Sequence, residues 1–178
     1  MSGRRSSYVE LEAALPEIER SPRDRGTLML IVRRPSRGQR EVLDVGTLDV
    51  EEGLVGDRWA QGKRHRAQQL TVINSRLVAL LAQSRDRWPL AGDQLYVDFD
   101  LSLEHLPPGT RLAIGAAEIE VSPEPHTGCR LFAERYGRDA QRFVGSERGQ
   151  TLQLRGINAW VVKSGEVRVG DAVRALLD

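Results

Sequence analysis

Cysteine is almost missing from this chain, whose 178 residues include a single thiol at Cys129. That scarcity excludes an internal disulfide and leaves Cys129 packing, nucleophilic attack, sulfur carriage or ligation of a soft metal as roles. Histidine is scarce too. His65, His105 and His126 are the only three, and no Cys-x-x-Cys or His-x-x-x-His spacing is present, so a structural zinc site lacks its usual pattern. Lysine occurs only at Lys63 and Lys163, which leaves little for Schiff-base chemistry. Long apolar runs are absent, and Met1-Ser2-Gly3-Arg4-Arg5 leads into Glu10 and Glu12 rather than into a hydrophobic signal segment. A soluble, cytoplasmic protein without a membrane partner is expected. Charge of one sign is lacking as well. The net value is +1 from 26 basic and 25 acidic residues, which speaks against nucleic acid as a partner.

What is abundant is arginine, which makes up the other 24 basic residues. Base composition of a genome is the bland explanation. The planar guanidinium is also a fork for bidentate binding of phosphate or carboxylate, so some of these side chains can serve an anionic ligand.

At 19.9 kDa and 40% hydrophobic residues the chain can bury one sizeable core. Tyr8, Leu11, Leu15 and Ile18 recur at helical spacing and predict an N-terminal helix that closes before Pro22. Residues 1–25 read as a helical packing arm and 26–178 as one domain. Thr27 to Val32 and Arg40 to Val50 predict strands of a hairpin about a Pro35/Gly38 turn. Further strands are expected at Leu70–Ile73, Leu95–Phe99, Arg111–Ile114, Glu118–Val121, Ile157–Val162, Gly165–Asp171 and Ala172–Leu176. Helices are expected at Arg76–Gln83, capped by Asn74 or Ser75, and at Arg130–Tyr136 and Asp139–Val144 with Gly137 between them. Many short strands with few helices predict a mainly β, barrel-like domain with flanking helices.

Two loops carry candidate chemistry. Gly53-Leu54-Val55-Gly56-Asp57-Arg58-Trp59 is a glycine-flanked charged turn, followed by Lys63, Arg64, His65 and Arg66. Taken alone it is a structural turn with a solvated basic edge; it can also cradle an anion, but it lacks the terminal Lys-Ser/Thr of a P-loop. The second loop is Pro125-His126-Thr127-Gly128-Cys129-Arg130. His126 lies three residues before Cys129, where a protonated imidazole would lower the thiol pKa if the two met, although a histidine in a proline-flanked loop is more often a surface residue. Cys129 and Arg135 share the Cys-x5-Arg spacing of cysteine phosphatases. The intervening Arg130-Leu131-Phe132-Ala133-Glu134 is bulky and helix-prone, unlike a loop that wraps phosphate in backbone amides.

Three segments taken together resemble the MOSC domain, the module named for the C-terminal part of molybdenum-cofactor sulfurases. They are Gly53 to Trp59, Leu112 through Val121 to Gly128-Cys129, and Arg155-Gly156-Ile157-Asn158-Ala159 through Gly165 to Asp171, and they span roughly residues 28 to 176. The resemblance implies a β-barrel related to that of pyruvate kinase, and a cysteine, here Cys129, that carries sulfur or ligates molybdenum in the pterin cofactor. It places Asp57 and Arg58 near the cofactor pocket, with His126, Thr127 and Arg130 as cofactor-binding neighbours by sequence. Asp93-Gln94 departs from the Arg/Glu-Asn pair of many relatives. Larger relatives add a domain that binds pyridoxal phosphate, for which this chain has no room. Some stand-alone forms resemble reductases of N-hydroxylated bases and amidoximes that use the molybdenum cofactor. The resemblance therefore implies a small-molecule substrate and an external electron donor, or a sulfur donor protein if Cys129 is a sulfur carrier. An inert thiol in a binding module is the remaining alternative.

Overall fold

A computed structural model describes residues 4–177 of the chain. Helix α1 (Tyr8–Glu19) precedes β1 (Gly26–Arg33), β2 (Glu41–Leu43), β3 (Val45–Asp49), β4 (Gly53–Leu54) and β5 (Leu70–Asn74). Helix α2 (Ser75–Ala82) leads to β6 (Leu95–Asp98), β7 (Arg111–Ile114) and β8 (Ala117–Pro125). Then come α3 (Arg130–Tyr136), α4 (Arg138–Gly145), α5 (Glu147–Thr151), β9 (Ile157–Lys163), β10 (Gly165–Arg168) and β11 (Ala172–Leu176).

Strand β1 is apolar on both faces because each meets a core. Leu28 and Ile31 point into the barrel interior, Leu30 and Val32 into a second cluster under the helices. A register shift between Leu28 and Leu30 against β6 supplies the extra residue that this distribution needs. From β1 the ladder runs through β6, β5, β9, β8, β7 and β11 and returns to β1, closing a seven-strand mixed barrel. Among the described residues only β5 and β6 pair in parallel, and the crossover they require is supplied by α2 and the turn at Arg85–Ala91. Asn74 starts that crossover by accepting the Arg76 N–H at 2.8 Å, so it is the cap and Ser75 the first helical residue.

Two expected strands end sooner than their composition suggests. Arg40–Val50 divides at Asp44: β2 completes the hairpin with β1, whereas β3 joins β10 and β4 in a separate three-stranded sheet. Gly165–Asp171 stops at Arg168, where Gly170 at φ +98° and Asp171, accepting the Arg168 N–H at 2.7 Å, turn the chain into β11.

The helices cover one outer face of the barrel. Leu11 and Ile18 bury α1 in the second cluster, the Tyr8 ring meets Phe143 edge-on at 6.0 Å, and Asp139 accepts the Tyr8 N–H. No helix among the described residues is long and apolar enough to cross a membrane.

Candidate functional site

Gly56, at φ +87°, reverses the chain after β4 and places Asp57 beneath the end of β1. Asp57 is 1% exposed. Its Oδ1 accepts the Arg34 N–H at 2.8 Å and Arg34 Nε–H at 3.0 Å, and its Oδ2 accepts Arg34 Nη2–H at 2.9 Å and the Trp59 N–H at 3.1 Å. Burial alone would raise this carboxyl, but the Arg34 side chain and charge, with the two amides, hold it below its ordinary value. Asp57 is therefore engaged in fixing Arg34 and capping the Arg58–Gln61 turn, with its acceptor sites occupied.

A second buried pair lies nearby. Asp93, fully buried, accepts Arg155 Nη1–H at 2.8 Å, while Arg155 Nη2–H goes to the Ala91 carbonyl at 3.1 Å and its guanidinium lies 4.9 Å from the Phe132 ring centre. The other oxygen of Asp93 faces His126 Nδ1 at 3.5 Å. Burial pushes the His126 imidazole down to about 4 against the opposing pull of Asp93, so it is neutral near pH 7. Gly92, at φ +86°, joins the two pairs: its carbonyl accepts Arg34 Nη1–H at 3.2 Å.

Between these pairs opens a cavity of about 370 Å³, into which Cys129 and His126 both project. Cys129 is exposed at the start of α3, and its carbonyl accepts the Phe132 and Ala133 N–H groups. The wall carries Arg37, Arg40, Arg58 and Arg135, none of which pairs with a carboxylate among the described residues. Burial and then the charge of Arg135 lower the Arg40 pKa; burial and then Arg34 lower that of Arg58. Arg40 Nε is buried without a partner. Crowded, desolvated guanidiniums of this kind favour an anion. A more open cavity of about 700 Å³ adjoins the first, sharing Arg34, Arg58, Thr71 and His126 with it and adding Thr127.

The residues singled out in the sequence thus separate. Cys129, Arg58 and His126 meet at one cavity and Thr127 lines the next. Arg130 projects from α3 into an exposed ion pair with Glu134 at 3.1 Å and lines neither. No hydrogen bond joins His126 to Cys129 among the described residues; the imidazole turns its Nδ1 to Asp93. Arg34, Arg40 and Asp93 come from distant parts of the chain and carry no local motif that marks them as site residues, and Arg155 lies in a segment of the family resemblance without being singled out there. Asp93-Gln94 was visible only as a departure from a pattern. Arg135 does reach the cavity of Cys129, but along a helical turn rather than a phosphate-wrapping loop, and it donates to the Leu90 carbonyl at 2.9 Å.

Fold and site together define a closed mixed barrel with an accessible thiol in an arginine-walled cavity at one end. The MOSC domain family matches residues 66–174, more than half of the chain, and the chain belongs to that family. The Gly53–Trp59 turn lies ahead of the matched segment. The fold is similar to that of the YuaD protein from Bacillus subtilis, with a TM-score of 0.63 at 16% identity over 85% of this chain and 95% of that one. It is also similar to YiiM from Escherichia coli, with a TM-score of 0.57 at 17% identity over 85% and 70% of the two chains. YiiM from Geobacillus stearothermophilus gives 0.58 at 11% identity over 85% and 75%. At such identities the likeness speaks for the fold alone. No curated protein matches the sequence.

Proposed function

We propose that the protein binds the molybdenum cofactor in the arginine-walled cavity, with Cys129 as the chain's ligand to the metal, and reduces small N-hydroxylated compounds using an external electron donor. The observation that carries this reading is the exposed Cys129 thiol opening onto guanidiniums that no carboxylate among the described residues pairs with. The donor set fits the group. A thiolate suits a high-valent molybdenum centre, and Arg40, Arg58 and Arg135 suit the cofactor's phosphate. The orphaned Arg40 Nε is a donor that such a phosphate would satisfy. When bound, the cofactor supplies a metal that changes oxidation state and exchanges oxygen.

The rest of the chemistry belongs to the chain. Asp57 holds Arg34 and Asp93 holds Arg155, so these two arginines shape the cavity with their charge already matched. Arg40, Arg58 and Arg135 keep theirs for the ligand. Among the described residues no three His, Cys, Asp or Glu side chains gather around a metal position, so Cys129 is the soft ligand that this cavity offers.

Molybdenum content tests the reading. Protein from a cofactor-competent host is expected to hold stoichiometric molybdenum, which Cys129→Ala loses; a metal-free wild-type preparation would sink the proposal.

Exposure of Cys129 also supports a second reading, sulfur carriage. Its thiolate would attack the outer sulfur of a donor persulfide, release the donor thiolate and keep the sulfur as its own persulfide. Mass spectrometry after incubation with a cysteine desulfurase and cysteine would show one added sulfur on Cys129, and an unchanged mass would count against carriage.

A further inference from the structure

Three buried polar atoms behind the cavity have no hydrogen-bond partner: Asp93 Oδ1, His126 Nδ1 and Arg155 Nε. Two of them face each other. His126 Nδ1 lies 3.5 Å from Asp93 Oδ1, a few tenths beyond the usual N–H···O range, and a small ring rotation closes the gap. Each is the nearest remedy for the other, since an unmet buried donor or acceptor is costly. Asp93 cannot turn away, because its other oxygen is held by Arg155 Nη1 at 2.8 Å.

If Asp93 accepts, the proton sits on Nδ1 and the neutral ring leaves a lone pair on Nε2. Nε2 makes no hydrogen bond within the described residues and, unlike Nδ1, is not closed off from solvent. His126 lines both cavities, whereas Cys129 lines only the smaller one. A small molecule that spans the two lies beside the imidazole and reaches the thiol within the smaller cavity. The guanidiniums of Arg37, Arg40, Arg58 and Arg135 offer only donors, so the imidazole lone pair adds an acceptor to that wall. The charged groups acting on the ring are Asp93 ahead of β6, Arg155 ahead of β9 and Arg34 after β1, and burial outweighs them in keeping it neutral.

We propose that Asp93 fixes His126 in the Nδ1–H tautomer, and that His126 Nε2 is the acceptor that selects ligands presenting an O–H or N–H group at the junction of the two cavities. Asp93 is the positioning residue and His126 the specificity-determining one. The ligand class deepens the proposed function and rests on it; the tautomer does not.

The full chain, purified from a cofactor-competent host, is tested by side-chain nitrogen NMR, in which three imidazoles are to be assigned. A neutral Nδ1–H ring is expected from pH 6 to 8, and its signals vanish in His126→Gln. In Asp93→Asn the carboxamide oxygen stays with Arg155 and its NH2 faces Nδ1, so the ring is expected to switch to Nε2–H. An Nε2–H or doubly protonated His126 in the wild type overturns the tautomer assignment, and this reading needs neither molybdenum nor a folded variant. Selection is read by titrating benzaldoxime and its O-methyl ether, which carries neither O–H nor N–H, against the same preparation. Wild type is expected to favour the free O–H form by about tenfold, the scale of one neutral hydrogen bond, and His126→Phe to lose the preference. Equal binding of both probes, or binding of neither, overturns selection while leaving the molybdenum content to judge the cofactor reading.

Discussion

Asp57 and Asp93 are both buried, and each neutralises one arginine, whereas Arg37, Arg40, Arg58 and Arg135 around Cys129 pair with no carboxylate among the described residues. The cost of losing such a carboxylate is the stranded charge of its partner. Asp57→Ala is expected to destabilise the fold by about 3 kcal/mol in urea titrations, because Arg34 is only 17% exposed and keeps its charge. Arg40 predicts the opposite. It repels Arg135 and buries an unsatisfied Nε, so Arg40→Met is expected to leave thermal stability unchanged or higher while abolishing stabilisation by inorganic phosphate. His126 brings pH dependence. The unfolded chain takes up its proton near the ordinary value of 6.5 and the folded protein only near 4, so the unfolded state binds more protons between them. Stability is therefore complete above pH 6.5 and falls on acidification towards pH 4, by up to about 3 kcal/mol. His126→Gln should flatten the difference between urea midpoints measured at pH 7 and pH 5.

At the level of elements, most of the β structure was legible because runs such as Leu28–Val32 and Leu70–Ile73 are apolar enough to sit between two cores, and Ile157–Val161 alternates towards the barrel interior. What composition cannot state is the partner of a strand. Arg40–Val50 reads as one alternating segment, yet Asp44 divides it between the barrel and the small sheet. The site was half legible. Cys129, Asp57-Arg58 and Arg155 sit in recognisable segments, but Arg34 and Asp93 are brought to them by barrel closure and have no local signature. Helix α1 is an integral layer, since Leu11 is fully buried against α2 and α4 residues. Leu11→Ala is expected to cost about 2–4 kcal/mol in the same urea assay, whereas a free arm would tolerate it.

For the molecule as a whole, closure of β11 on β1 puts the Gly53–Trp59 turn, the segment before β6, the Cys129 loop and the entry to β9 at one end of the barrel. Charge is nearly balanced overall, at +1, but not in that cavity, which is where an anionic ligand would gain most. A single accessible thiol stands in the same place. The most direct measurement is metal analysis of wild-type protein and Cys129→Ala produced side by side in a host that makes the molybdenum cofactor. Stoichiometric molybdenum in the wild type and none in the folded variant is the predicted result; molybdenum absent from both, or retained in full by Cys129→Ala, would contradict the assignment of Cys129 as its ligand.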